Sequence, residues 1–475
     1  MSTTQPYPAF RFALAALLLL AVGGSRATLA AGATPPSRVV IVGTADLKGK
    51  TSPCGCHIPR GGFARMAAFL DSTRAGDAPV LFVDAGGSFP EVDGRTDLAQ
   101  YMLRSLAELR VDAVGVAPRD LRYGLAYLRD QVRRQSLPIT CANLVDRAAR
   151  TPVFPGSRIV DARGVRVGVF ALIGDRMDLG PAHDSLAVLD PENAAVREVA
   201  ALRARGAQVI VLLAQLGRVG GEDVVTAVPG IDAVILGHDI PVLEHGRQLG
   251  VAIGSYAGDQ GQQLGVVTLA LAANGRAADG TADVRVLGPE VREQPAMFAS
   301  VKAFENAYNE RMRDEQRHAQ ALAEADPDTD PVDHYVGAAV CARCHTPESE
   351  QWKTTAHSLA WETLVRERKD ATPECIPCHS LGYREPGGFQ NAAHTPGLVN
   401  VQCENCHGMG TLHSDTWLAR STIGERTCRG CHNQERDPEF DFAAKFPLMV
   451  HGNSSGESIR IIRARREQGS SGGGR

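Results

Sequence analysis

Four copies of one pattern, Cys-x-x-Cys-His, fall between residues 341 and 432 of a 475-residue chain. They are Cys341-Cys344-His345, Cys375-Cys378-His379, Cys403-Cys406-His407 and Cys428-Cys431-His432. Two thiols one helical turn apart can add to the two vinyl groups of one porphyrin, and the adjacent histidine is then held under the iron as its proximal ligand. A single copy also suits zinc or a redox dithiol, but zinc does not need a histidine directly after every pair. Repetition at this density therefore predicts four covalently attached haems c. Four macrocycles on so short a stretch leave little protein for an ordinary apolar core, so the macrocycles themselves must be the core.

Each iron has a sixth position. The same region holds five further histidines, His334, His357, His394, His413 and His451. A second imidazole gives a low-spin, electron-transferring haem, whereas an uncapped iron can bind a small molecule.

The run "YVGAAVCARCHTPESEQWKTTAHSLAWETL", followed by "CIPCHSLGYREPGGF" and "VQCENCHGMGTLHSD", resembles the tetrahaem cytochrome c family that partners hydroxylamine oxidoreductase. The marks are Trp352 five residues before His357, the Gly-Gly-aromatic after the second motif, and Cys-Glu-x-Cys-His-Gly at the third. Carried over by position, the resemblance implies that His357 caps the iron of His407, His413 that of His345, and His451 that of His432. It also implies a five-coordinate iron on His379. His394 departs from the family pattern and is the candidate to close that iron.

The chain begins with an arginine and an apolar run, "FRFALAALLLLAVGG", followed by small residues. The run is shorter than the roughly 20 residues needed to span a bilayer. Residues 1–30 thus read as a secretory signal cut near Ala30, with an exported, periplasmic and soluble product that has no membrane span after cleavage. No cysteine follows the run, so no lipid anchor is expected. Net charge is −4. With no sustained Lys/Arg run, nucleic acid is not an expected partner.

From Arg38 to Leu287, Val- and Ile-rich runs such as "RVVIVGTAD", "APVLFVDAGG", "VRVGVFALIG", "AQVIVLLAQLG" and "IDAVILGHD" alternate with helical patterns. Short apolar runs between amphipathic segments argue an α/β region with buried sheets covered by helices, and functional residues at strand ends. The order resembles the metallophosphoesterase fold of secreted 5'-nucleotidases, which implies a sandwich of two mixed sheets flanked by helices. In that family five motifs hold two metals that clamp both oxygens of an in-line displacement. Position by position, the implied ligands are broken here. Asp46 remains, but Lys48 stands where a histidine belongs; Asp84 remains, but Gly87 replaces the bridging aspartate. Pro118 and Arg119 replace Asn-His, Gln215 replaces a histidine, and His238 remains while Ile240 replaces its partner. The resemblance therefore implies a degenerate phosphoesterase that has lost its dinuclear site.

Eleven cysteines are an odd number for an oxidising compartment, and three lie outside the haem motifs: Cys54, Cys56 and Cys141. "CGCH" at 54–57 is one residue short of a haem motif, and a Cys-Gly-Cys cannot straddle a porphyrin in the usual way. Cys54 and Cys56 follow the strand that ends at Asp46, and Cys141 ends another strand expected to face the same cleft. Three readings stay open. One is a thiolate site, with His57 as a further candidate, for copper or zinc. A second is a redox thiol pair. The third is a structural disulfide from Cys141 to Cys54 or Cys56. The "PCGC…GGFARM" arrangement also resembles a recurring form of secreted nucleotidase-like domains.

The expected organisation is a signal at 1–30, a degenerate nucleotidase-like domain at 37–292, a helix and acidic linker at 293–333, a tetrahaem domain at 334–455 and a disordered tail at 456–475. The expected function is electron transfer with a periplasmic redox protein as partner. An active phosphoesterase with a haem tail, and a multihaem oxidoreductase acting on a small nitrogen or sulfur compound, are the alternatives.

Overall fold

A computed structural model describes residues 36–53, 58–91, 94–325, 333–385, 387–416, 423–433 and 436–451. The signal segment, Cys54, Cys56, His57 and the tail lie outside the described residues.

The N-terminal region is built on two mixed sheets. Its strands in chain order are β1 (Arg38–Thr44), β2 (Val80–Asp84), β3 (Ala113–Val114), β4 (Leu144–Asp146), β5 (Ser157–Ala162), β6 (Val165–Ile173), β7 (Leu186–Val188), β8 (Val209–Gln215), β9 (Ala233–Leu236), β10 (Arg247–Leu249), β11 (Ala252–Ser255), β12 (Gln263–Leu271) and β13 (Ala277–Val286). The first sheet runs β13-β12-β1-β2-β3 and the second β10-β11-β9-β8-β6-β5, while β4 and β7 form a separate pair. β1, β2 and β3 are parallel, as are β6, β8, β9 and β11. Their carboxyl ends bring Asp46, Asp84, Gln215 and His238 together.

The helices are α1 (Phe63–Arg74), α2 (Thr96–Glu108), α3 (Leu125–Gln135), α4 (Pro191–Ala204), α5 (Gly217–Ala227) and α6 (Pro295–Ala325). Alternation decides which face each strand residue serves. Val39 and Ile41 of β1 meet Val167, Val169, Val211 and Ile235 between the two sheets, whereas Val42 turns to the helix side. Phe170 and Leu172 of β6 point the other way, onto α4 and α5. Because both faces of β6 and β8 are covered, their sequences read as continuous apolar runs. Gly43 sits where the sheets come closest, since a Cβ there would stand 2.6 Å from Ile235. α4 begins cleanly because Asp190 accepts the N–H of Asn193 at 2.7 Å and Pro191 opens the helix.

α6 is the helix expected before the acidic linker, whose residues 326–332 lie outside the described residues, and it does more than lead into that linker. Met297, Val301, Tyr308 and Met312 are buried in the core on the helix side of the first sheet. Phe304 stacks on Tyr101 of α2 with ring centroids 3.9 Å apart. These apolar positions share one helical stripe among charged neighbours, a pattern easily taken for a solvated helix.

Past residue 333 the chain changes character. It forms only short helices, among them Ala338–Cys341, Thr346–Trp352, Ala360–Arg366 and Cys403–His407. Its apolar cluster is small, with Trp361, Leu364, Ile376 and Phe389 buried together.

Candidate haem-binding region and strand-end cleft

In the C-terminal region polar side chains between and beside the cysteines set the frame. Glu404, inside the third motif, is buried, and its carboxylate accepts from the backbone N–H groups of Val336 (3.0 Å), Gly337 (2.8 Å) and Gly410 (2.7 Å). Bonds to a charged acceptor are worth about 1.5–3 kcal/mol each. Gln402 accepts from Ala338 N–H at 2.5 Å and donates to the carbonyls of Gly397 and Val399, both at 2.7 Å. Asn405 donates to the Ser380 carbonyl at 3.0 Å. The third motif is thereby tied to the approach to the first and to the end of the second. The thiol of Cys341 meets that of Cys403, and the thiol of Cys431 meets that of Cys378.

The histidine rings are arranged in facing pairs. His345 and His413 have centroids 6.2 Å apart, His407 and His451 6.2 Å, and His357 and His432 6.1 Å. An imidazole–metal bond is about 2.0–2.1 Å, so two rings on opposite sides of one metal have centroids roughly 6.3 Å apart. The spacing therefore fits an iron between each pair. Two partners differ from the positional carry-over: His357 faces His432 rather than His407, and His451 faces His407 rather than His432. Burial first, then His432 and His379, pushes His357 down to about 4, so its ring is neutral, the form that binds a metal.

These three pairs use six histidines and leave out His379. Its Nδ1 lies 2.6 Å from the Ala360 carbonyl, which fixes the ring and turns Nε2 outward as a proximal ligand requires. His432 has the equivalent support from Asp437 at 2.8 Å. His394 is exposed, with its backbone N–H held by Asn391 at 2.9 Å.

The N-terminal region has a cleft of about 430 Å³ at its strand ends, lined in part by Asp46, Lys48, Arg119, Gln215, His238 and Asp239. Asp46 accepts from His238 N–H at 2.6 Å and from Gln215 Nε2 at 3.3 Å. Burial still pushes its carboxyl up to about 6. Lys48 reaches Asp259 at 2.7 Å and Asp239 at 2.9 Å. Burial opposes its charge, but these two carboxylates outweigh that and hold the ammonium ionised. The amine thus occupies carboxylates that a cation would need. At position 87 a Cβ would lie 2.3 Å from Asp46 Oδ1, and the backbone has φ +85°, so only glycine fits.

Asp84 is fully buried, accepts from Gly86 N–H at 2.9 Å through Oδ1, and has no partner for Oδ2. Burial, then the charge of Asp120, raises it well above the ordinary carboxylate range. Gln215 Oε1 is likewise buried without a partner. Asp46, Lys48, His238 and Asp239 all have left-handed backbone, with φ between 50° and 74°. Strain of this kind gathers at functional sites. Among the described residues no group of three or more His, Cys, Asp or Glu is arranged to hold a metal ion.

Cys141 does not stand on the cleft wall. It is wholly buried with Leu121, Leu128, Leu144 and Phe154, its Sγ 3.8 Å from Asn143 Oδ1. Burial pushes its thiol up to about 11, which disfavours a thiolate. Cys54, Cys56 and His57 lie outside the described residues.

Residues 340–408 match the sequence model of a family described as cytochrome c554 and c-prime. The C-terminal region is cytochrome c554-like. The cytochrome c-554 of Nitrosomonas europaea is 33% identical over 114 residues, covering 20% of this chain and 48% of that protein. The chain thus spans about half the length of this curated relative. Covalent haem c belongs to that likeness, and no helix among the described residues is long and apolar enough to cross a membrane.

The N-terminal fold is metallophosphoesterase-like. The sulfate thiohydrolase SoxB of Thermus thermophilus superposes with a TM-score of 0.50 at 17% identity, over 56% of this chain and 60% of that one. A 5'-nucleotidase precursor from Thermus thermophilus gives 0.49 at 21% identity, over 57% and 59%. At 17% identity the likeness to SoxB speaks for the fold and not for the chemistry.

Proposed function

We propose that this chain is an exported electron-transfer protein carrying four covalent haems c. Three irons take paired histidines, His345 with His413, His407 with His451, and His432 with His357. The fourth is held by His379 alone. The observation that carries this reading is the 6.1–6.2 Å spacing of three histidine pairs, each containing the histidine of one Cys-x-x-Cys-His motif. Bound haem supplies a one-electron ferric/ferrous couple. The polypeptide orients the imidazoles, excludes water from His357 and links the motifs through Glu404, Gln402 and Asn405. The thiol contacts Cys341–Cys403 and Cys378–Cys431 favour close approach of the first haem to the third and of the second to the fourth.

The nucleotidase-like region no longer holds a dinuclear metal site, because Lys48 and Gly87 have remade its floor. It serves as a docking or sensing module, and Cys54 and Cys56 are its candidate thiolate site for copper or zinc. Cys141, protonated in the core, is not part of that site. A redox protein is the partner. A second reading follows from His379: an iron without a second histidine can take a small nitrogen or sulfur compound, which would make the chain an oxidoreductase.

A stoichiometric reductive titration tests electron transfer. The matured chain should take up four electrons and release them reversibly to a mild oxidant. Haems that stay oxidised under a low-potential protein donor would sink the proposal.

A further inference from the structure

Contacts between the N-terminal region and the cytochrome-like region gather on residues 369–375, the approach to the second motif. Ala371 is fully buried inside the N-terminal core, together with Met297, Val301, Tyr308 and Met312 of α6. Its backbone N–H donates to Asn309 Oδ1 at 3.0 Å. Asp370 accepts from Arg313 Nη2 through both oxygens, at 2.8 and 2.7 Å, and from Asn309 Nδ2 at 3.3 Å. Glu305, one turn earlier on α6, is partly buried, accepts from Thr51 at 2.7 Å and also bonds Ser52, pairs with Lys302 at 3.3 Å, and feels the charge of Lys369. Glu374 acts on Tyr308 and Arg95. A separate ion pair, Arg60–Glu439 at 2.8 Å, ties the loop after residue 57 to the segment beyond the fourth motif.

This is a clamp with an apolar core, not a flexible tether. The chain enters the N-terminal region's own core at Ala371 and reaches a haem-attachment cysteine four residues later. A haem on Cys375 and Cys378 is therefore placed at the boundary between the regions.

We infer that the haem of the second motif sits at the boundary with the N-terminal region and that the clamp of Asn309, Arg313 and Asp370 sets its potential. The inference rests on the four-haem reading above. Burial and nearby charge set a haem's potential, so loosening the clamp should alter one haem and leave the other three alone. Asn309 and Arg313 are positioning residues that act through the Asp370–Cys375 segment.

The test is a potentiometric titration of the full-length holoprotein, fitted as four one-electron components. In Arg313→Glu, which sets two negative charges side by side, one component should shift by about threefold or more in its oxidised/reduced ratio, about 28 mV for a one-electron couple. The charge swap Arg313→Glu/Asp370→Arg should restore it. In a Cys375→Ala/Cys378→Ala background one component should be missing and the Arg313→Glu shift should vanish. Amine cross-linking provides an independent readout that needs no haem: Lys302 should join Lys369 in wild type and in the swap, and weakly in Arg313→Glu. An unchanged titration in Arg313→Glu, or a shift that survives in the Cys375→Ala/Cys378→Ala background, overturns the inference. If the latter variant does not fold, failure of the swap to restore the wild-type component overturns it as well. Absence of haem from wild type would instead sink the four-haem reading, and the cross-link would still report whether the clamp exists.

Discussion

His357→Ala is expected to convert one haem equivalent per chain from low spin to high spin, and the iron affected is that of His432. The His357 ring stands 6.1 Å from the His432 ring, tilted by 43°. That distance leaves room for one metal between two nitrogens. The positional analogy to the tetrahaem family assigns His357 to His407 instead, so the two accounts differ in a measurable way. Electron paramagnetic resonance of His357→Ala gives the high-spin signal. Repeating it in a Cys428→Ala/Cys431→Ala background, which lacks the fourth haem, should remove the change. If the high-spin signal persists there, His357 serves another iron and the ring pairing described above is wrong.

Asp84→Asn is expected to stabilise the chain at pH 7 by at least about 1 kcal/mol, because each pH unit over which only the folded state keeps the proton costs about 1.4 kcal/mol. Asp84 is fully buried, and its Oδ2 lacks a partner. Asparagine keeps the acceptor that Gly86 N–H uses and is neutral without binding a proton. The folded carboxyl is raised well above its ordinary range by burial and by Asp120. The folded state therefore keeps a proton that the unfolded state releases near pH 4. Wild-type stability from this group is full below that pH and is lost as pH rises above it toward the folded value. The advantage of asparagine should accordingly grow from pH 4 to pH 7, measured by denaturant unfolding. A working metal site predicts the reverse: Asp84→Asn would lose stability in manganese or zinc, and a chelator would erase the difference.

Much of this was legible in the sequence because it is local. The Cys-x-x-Cys-His spacing is dictated by the porphyrin, and the strand ends at Asp46, Asp84, Gln215 and His238 follow from apolar runs closed by polar residues. The two mixed sheets emerge from the same runs. What was not legible depends on contacts distant in sequence. Which histidine rings face each other depends on packing between segments distant in sequence, such as Glu404, Gln402 and Asn405 reaching to residues 336–338 and 380. Cys141 reads as a cleft residue from its place at a strand end, but its side chain is taken up by the helix-side core. α6 reads as a charged helix leading to a linker, and only the stripe Met297, Val301, Tyr308 and Met312 reveals that it completes a core. Lys48 and Gly87 were visible as departures from a metal-binding pattern; that Lys48 pairs with Asp239 and Asp259 was not.

The most direct measurement is the haem and metal content of the purified, matured chain, by pyridine haemochrome spectrum and elemental analysis together. The account predicts four irons per chain, all as covalent haem, with any copper or zinc lost in Cys54→Ser/Cys56→Ser. Fewer than four covalent haems, or two manganese or zinc ions unaffected by those serines and accompanied by metal-dependent release of phosphate from nucleotides, would contradict it.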